Sequence, residues 1–530
     1  MWVTVAALAV LGVVVGLVAL GLHRAEPFFR ARIVAALEEK FKGRVELDSF
    51  HMSLLEGFKA EGQGLRIWPP AEVEGVAVAG PVGVGAPLVR LQEFRFAAPW
   101  RLDPGKPFHI SLVELKGLEV DLPPRSKMAH AGGGARGGAT GGSGRLRFEV
   151  DTVECSEARL RLETDKPGKL PMEIPIARLK LTGIAPDTAM GFAAELTNPK
   201  PVGTIHTTGS FGPWQANDLG ESPLKGDYRF EHADLAGFKG IAGILSSTGH
   251  YEGTLRGLTV DGVTDTPDFR LAHFGNALAL HTRFHAQVDG TNGDTRLEPV
   301  EATLGRSHFW VQGQVVRVPE EAEAEGGPAV SKGHDLALDV NVDRGRIEDF
   351  LLLASRSAAP LLTGAVTAKT KVHIPPGTQP VHERLELKGQ FKLDEAQFTS
   401  PKIRDRIKEL SLRGQGRPKD LKTADAESVR STMQGDFTMA GGTIALPALE
   451  YAVPGATIDL KGTYGLEGGT LDFDGTAKMK AKISQMVGGW KGLLLKPLDR
   501  LFKKDGAGTA VAIHIAGTRE DPKFSVGLEK

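Results

Sequence analysis

The sequence predicts a mainly β protein. The expected fold is an N-terminal transmembrane helix followed by an elongated, curled, groove-like antiparallel β-sheet with a few short helices and a C-terminal amphipathic helix. Three observations lead there. Apolar and polar residues alternate with period two over much of the chain after Arg145, as strands with one apolar and one solvated face require. Gly at 66 and Pro at 32 supply many turns in 530 residues. Val3 to Leu22 carries no charged residue and spans roughly 30 Å as a helix, about the thickness of a bilayer's hydrocarbon core.

That first segment begins without Lys or Arg and is longer than the apolar core of about 7–15 residues in a secretory signal. It is therefore expected to be an uncleaved anchor over residues 1–24, with a cleaved signal as the alternative. Gly12 and Gly16 give it a small-residue pair suited to helix pairing. Arg24, Arg30 and Arg32 lie on its C-terminal side, but long domains translocate largely regardless of such charges, so charge leaves the sidedness open.

A first region, 25–125, opens with a predicted helix from Pro27 to Lys42, where Phe28, Ile33, Ala36, Leu37 and Phe41 share a face before Gly43. Val45, Leu47, Phe50, Leu65 and Ile67 then mark short strands. Ser126 to Gly144 is Gly-rich and is expected to be a flexible linker or loop; it lacks the Gly-Lys-Ser/Thr ending of a phosphate loop. A β-rich body, 145–375, follows. Leu146, Phe148 and Val150, then Leu160 and Leu162, alternate with charged residues. The cleanest run sets Leu336, Leu338, Val340 and Val342 between Asp335, Asp339, Asn341 and Asp343. Asp289-Gly290 and Asn292-Gly293 mark turns.

Helical spacing returns briefly at Arg346–Arg356 and at Pro401–Glu409. The C-terminal region, 376–530, is expected to carry the amphipathic helix 482–504. Ile483, Met486, Val487, Trp490, Leu494, Leu498, Leu501 and Phe502 would form its apolar face, with a kink at Pro497. Its apolar face suits either a membrane interface or the sheet. Val511, Ile513 and Ile515 close the strand series. Gly253-Thr254, Gly262 and Pro267 recur at a constant offset as Gly508-Thr509, Gly517 and Pro522, which suggests a repeated sheet-building unit.

Chemistry is sparse. Lys and Arg total 64 against 65 Asp and Glu, so no basic field favours nucleic acid. Cys155 is the only cysteine, which excludes an internal disulfide and a multi-thiolate metal site. His281 and His285 are four apart but lack the Glu of a zinc protease motif and fit surface strand positions better. Asp261, Asp265 and Asp268 crowd what reads as one solvated turn. No nucleophile elbow surrounds a serine. The expectation is a non-enzyme with no metal and no cofactor.

Several segments resemble the AsmA-like family of bacterial envelope proteins, relatives of TamB and YhdP. They are Ala36-Leu37 to Val45, the Leu55–Gly57 turn, Leu410–Gly416, Val453–Ala456, Gly462–Tyr464, Leu494–Pro497, Phe502–Lys504 through Gly508-Thr509, and Gly517–Phe524. The resemblance implies a single-pass inner-membrane anchor, the bulk of the chain in the periplasm, and a part in outer-membrane biogenesis. It also implies an apolar β-groove for phospholipid, with the membrane and phospholipid as partners and no family catalytic residues. Leu336, Leu338, Val340, Val342, Val511, Ile513 and Ile515 are the candidate lining. An assembly factor that binds outer-membrane proteins through its sheet edges is the alternative.

The residues support a groove independently. Roughly 25 strands at about 4.8 Å would extend about 120 Å, and open sheets beyond about ten strands curl or split. The apolar face then needs a cover, either a second sheet or lipid, and the sequence leaves both open.

Overall fold

The structure, a computed structural model, describes residues 43–53, 58–68, 72–73, 76–77, 87–98, 108–122, 148–163, 171–487, 496 and 508–527, with gaps inside 171–487 of which the longest are 320–330 and 423–428, and seven residues between Pro27 and Glu38. One sheet of 25 strands takes up nearly all of it, beside a separate two-stranded hairpin, Glu72–Val73 with Val76–Ala77. Among the described residues no second sheet packs on the first. The sheet curls into a half-barrel, as the twist between neighbouring strands compels in so wide a sheet.

Strand order follows chain order. Val45–Glu46 and Ser49–Ser53 both pair with Phe58–Ile67, which pairs with Val89–Ala98, then Phe108–Leu122. From Phe148–Leu162 to Pro522–Gly527 almost every strand pairs with the next as an antiparallel neighbour. The exception is the short Ile241–Ala242 strand, so Pro223–Asp234 pairs directly with Ile244–Thr254. Pairing of Phe108–Leu122 with Phe148–Leu162, and of Leu362–Ile374 with Glu386–Phe398, joins the predicted regions in one hydrogen-bonded sheet.

The expectation of a wholly antiparallel sheet is corrected at one place. Phe108–Leu122 and Phe148–Leu162 run parallel, with Leu115 opposite Cys155. Parallel neighbours need a crossover of a dozen or more residues. Residues 123–147, which include the Gly-rich 126–144 stretch, are that connection, and they lie outside the described residues. Phe148–Leu162 also proves to be one strand rather than two, with the left-handed Glu157 (φ 57) bulging it mid-way.

Helices gather along one rim. Arg346–Arg356 resolves as α1 (Ile347–Leu353) and Pro401–Glu409 as the longer α2 (Pro401–Gly414). The extension follows burial: Leu410 packs with Ile407 against Tyr451, Val453, Ala456 and Met479, and Leu412 is buried too. Ile347, Phe350 and Leu351 of α1 cover Val342, Leu362, Val366 and Leu393. Both helices connect strands at the same end, as does α3 (Ile483–Met486). Near the N-terminus Pro27, Arg30, Ala31, Val34, Ala35, Leu37 and Glu38 are helical, and Val34 packs with Leu47, Phe50, Met52 and Ala60. Arg30 Nε donates to the Leu47 carbonyl at 3.1 Å, tying that helix to the sheet's first strands.

Three segments quoted for the family resemblance converge at the helical rim. Ser411 Oγ donates to the Pro454 carbonyl at 2.8 Å, the Ala481 N–H to Gly414 at 2.9 Å, and Thr509 Oγ1 to Ala481 at 2.8 Å. Gly455 holds φ 90, and a Cβ there would meet the Gln415 backbone nitrogen at 2.7 Å, so only glycine fits this turn.

Three expectations change. The helix 482–504 is interrupted: α3 ends at Met486 and Val487 is extended, where the following Gly488-Gly489 favours helix least. Trp490, Leu494, Leu498 and Leu501 lie outside the described residues. Asp261, Asp265 and Asp268 lie within one strand, Gly257–Leu271, not on a turn. The repeat at constant offset is not a structural one. Gly262 and Pro267 lie inside that single strand, whereas Gly517 precedes a reversal and Pro522 begins the next strand.

No helix among the described residues is long and apolar enough to cross a membrane. Val3 to Leu22 and the Gly12 and Gly16 pair lie outside those residues.

Candidate functional site

The strand register aligns the alternating side chains into rows that cross the sheet. One row runs Ala158, Ile176, Leu196, Ile205, Phe230, Ser247, Thr264, Thr282 and Ala302. It continues through Phe309, Val342, Ala368, Phe391, Gly435, Leu449, Leu460, Gly475 and Ile513. No residue in this row carries a charge. The period of two puts its neighbours in sequence on the opposite face: Lys369, Gln390, Asp436, Glu450, Lys461 and Asp474 are among them.

The uncharged face is the concave one. A concavity of about 840 Å³ spans seven consecutive strands and takes a residue of this row, flanked by its chain neighbours, from each. A second, about 920 Å³, adjoins it and lies over Val311, Val340, Thr370, Gly389 and Phe437. A third, about 1160 Å³, lies over Leu115, Cys155, Leu179, Ala194, Thr207, Tyr228 and Gly249. Together they form a trough along the inside of the curl, floored by aliphatic and aromatic side chains and glycines.

All seven candidate lining residues fall on this face. Leu338 lies between Gly313 and Val372, Val340 between Val311 and Thr370, and Leu336 between Val315 and Ile374. Val511, Ile513 and Ile515 pair with Ala477, Gly475 and Phe473. The structure brings Val342 and Ile513 into one row, seven strands apart. Val342 is 6% exposed and sits under α1, so it belongs as much to that packed rim as to the open floor. Of the predicted amphipathic face, Met486 packs into the Tyr451 cluster.

The opposite rim differs in construction. Strands there are joined by tight connections such as Gly441-Gly442, both with positive φ, and by the single helical turn Val381–Arg384. The trough is therefore flanked by helices on one side of its C-terminal half and by turns on the other.

The convex face carries histidine–carboxylate pairs between neighbouring strands. His281 Nδ1 lies 2.7 Å from Asp265 Oδ1, and His285 Nδ1 2.7 Å from Asp261 Oδ1, so the surface-strand reading of these histidines holds. His250 and His514 meet Asp227 and Asp474 in the same way. Asp268 accepts the Ile244 N–H at 2.8 Å. Among the described residues no group of three His, Cys, Asp or Glu is placed to hold a metal ion.

His308 links three strands: Nδ1 lies 2.8 Å from Asp343 and Nε2 3.0 Å from Glu301. The Asp343 bond, then the Glu301 bond, raises the imidazole above its ordinary value, and Asp343 is correspondingly lowered. Stability from the raised imidazole is fully present below the ordinary histidine pKa and is lost as pH rises through the folded value. NMR titration is expected to place His308 above the ordinary range of about 6.5, and Asp343→Asn should move it back down. An unmoved His308 in that variant would refute the linkage.

Two features of the site escape a reading of the sequence. The buried Glu348 and Asp349 at the start of α1, 4% exposed each, bind the Gly305-Arg306-Ser307 hairpin. Their position just inside a predicted helix start was the available signal. The second is a cluster of hydroxyls on the trough floor, scattered over five strands in sequence and gathered only by register. Cys155, the lone cysteine, is buried on the floor, and burial pushes its thiol up. No protein-family model matches this chain, and no curated protein matches it in sequence.

Proposed function

We propose that this protein binds and conducts lipid acyl chains along its trough, as a non-enzymatic, inner-membrane-anchored periplasmic component of outer-membrane biogenesis in the manner of the AsmA-like family. The observation that carries the reading is the uncharged row from Ala158 to Ile513, which no second sheet covers among the described residues. Leaving such a face in water is unfavourable by about 25 cal/mol for each Å². A chain of methylenes laid along the floor would remove that cost without any polar partner.

The shape fits a conduit better than a closed pocket. Concavities follow one another along the strand series, and the floor has no charge to trap a headgroup. Phospholipid is the proposed cargo, with headgroups at the open side and acyl chains on the floor. Val3 to Leu22 would hold the trough at the inner membrane.

The alternative, an assembly factor acting through sheet edges, finds less support. The last strand, Pro522–Gly527, is short and opens with Pro and Lys, features that blunt an edge against pairing. Full-length protein extracted in a mild detergent and analysed by native mass spectrometry is expected to retain phospholipid. Photo-crosslinkers at Leu338 and Ile513 should capture it. Recovery without lipid and no capture at either position would defeat the proposal.

A further inference from the structure

The trough floor is not uniform: hydroxyls cluster in one stretch of it, and two hydrogen-bonded chains there have a definite sense. Thr207, Tyr228, Ser247, Tyr251, Thr264 and Thr282 all project onto the concave face from five neighbouring strands between Val202 and Val288. At about 4.8 Å per strand they form a belt about 20 Å wide. On either side the floor row is free of hydroxyls from Ala158 to Phe230 and from Ala302 to Ile513.

The tyrosines lie over glycines. A Cβ on Gly262 would meet the Tyr228 hydroxyl at 2.5 Å, one on Gly249 the Tyr228 ring at 2.7 Å, and one on Gly226 the Tyr251 hydroxyl at 2.8 Å. Each phenol is thus laid along the floor over its neighbour's backbone.

The direction of the hydrogen bonds follows from their carbonyl ends. Ser247 Oγ is 2.9 Å from the Val263 carbonyl, which can only accept, so the serine proton is committed there. The 3.0 Å contact between Tyr228 and Ser247 must then use the tyrosine proton. Thr207 Oγ1 likewise donates to the Asp227 carbonyl at 2.8 Å, and Tyr251 donates to Thr207 at 2.6 Å. Burial raises both phenols further, so both stay protonated. Every proton in these two chains is spent, and the two phenol oxygens keep unused lone pairs.

We infer that the Tyr228 and Tyr251 part of this belt is a binding station for an amphiphile whose acyl chain carries a hydrogen-bond donor, a hydroxyl or an amide N–H, rather than one with ester carbonyls alone. This rests on the trough holding acyl chains. An ester offers only acceptors and finds no donor at Tyr228 or Tyr251, whereas a hydroxyl or amide on the chain finds an acceptor in surroundings that are otherwise apolar. Tyr228 lines the concavity, where such a group can reach its oxygen.

The test is displacement of a fluorescent fatty acid from the full-length protein by myristic acid, its β-hydroxy derivative, myristamide and methyl myristate. One hydrogen bond corresponds to about a fivefold preference. The β-hydroxy acid is therefore expected to compete about fivefold better than myristic acid, and the amide likewise better than the methyl ester. Preference for only one of the two would tell a hydroxyl station from an amide station. The double variant Tyr228→Phe, Tyr251→Phe should lose the preference and keep its affinity for myristic acid. Ser247→Ala frees the Tyr228 proton and should shift selectivity towards the methyl ester. Equal competition by all four compounds in the unmodified protein would overturn the inference and leave the trough intact; no displacement by any would remove the trough reading itself. Unchanged selectivity in both variants would overturn the assignment to these tyrosines.

Discussion

Leu449→Asp is expected to divide the trough into two compartments that no longer exchange lipid. Leu449 stands on the floor between Gly435 and Leu460 and belongs to none of the packed rim clusters, so the substitution acts on the trough rather than on a core. A carboxylate among hydrocarbon chains costs about 3 kcal/mol, roughly two orders of magnitude in local occupancy. Water reaching it from the open side lowers that figure, and a tenfold effect is the expected minimum. Photo-crosslinkers at Leu338 and Ile513 flank the position. Their ratio of captured lipid should change by tenfold or more in cells carrying the variant. Ala448→Asp places the same charge one residue away on the convex, solvated face and should leave the ratio where it was. If both substitutions leave the two capture yields unchanged, lipid does not travel along this floor.

That contrast between adjacent residues expresses how far the fold could be read from the chain. Period-two alternation assigns a face to Leu336, Leu338, Val340, Val342, Val511, Ile513 and Ile515 without any knowledge of pairing, and all seven share the concave face. The estimate of roughly 25 strands matches the 25 in the sheet because each run pairs with the next. Pairing partners were less legible. Nothing local distinguishes the parallel junction of Phe108–Leu122 with Phe148–Leu162, since a parallel partner is fixed by how far the intervening chain can reach. The hydroxyl belt is invisible for a related reason. Thr207 and Thr282 lie far apart in sequence, and only the register of five strands gathers them. The helix 482–504 is broken at Val487, which is extended although the apolar spacing continues through it.

Glu348→Ala is expected to destabilise the helical rim by about 2–4 kcal/mol. The carboxylate, 4% exposed, accepts the Gly364 N–H at 3.1 Å and guanidinium bonds from Arg306 and Arg346 at 2.8 and 2.9 Å. The arginines are largely solvent-reachable, side chains 65% and 41% exposed, so their charge contributes little and they rehydrate when the partner leaves. The larger loss comes from Gly364, whose buried N–H is left without an acceptor, and from the start of α1, where the acid complements the helix dipole. Burial works against the charged form of Glu348, yet the N–H groups of Glu348 and Gly364 and the Arg346 guanidinium outweigh it, and the carboxyl is held below its ordinary value. A depressed carboxyl stabilises fully above the ordinary glutamate pKa, about 4.3, and the gain is lost as pH falls through the folded value. Amide protection factors in Ile347–Leu353 and at Gly364, taken relative to the intrinsic exchange rate at each pH, should therefore fall on acidification below that pKa. Glu348→Gln should exchange faster at neutral pH and show less of the acid dependence. An acid response of full size in Glu348→Gln would refute its assignment to Glu348. Because α1 packs over Val342 at the edge of the floor, loosening this clamp exposes that residue further, and a photo-crosslinker at Val342 should then capture more lipid than in the unmodified protein.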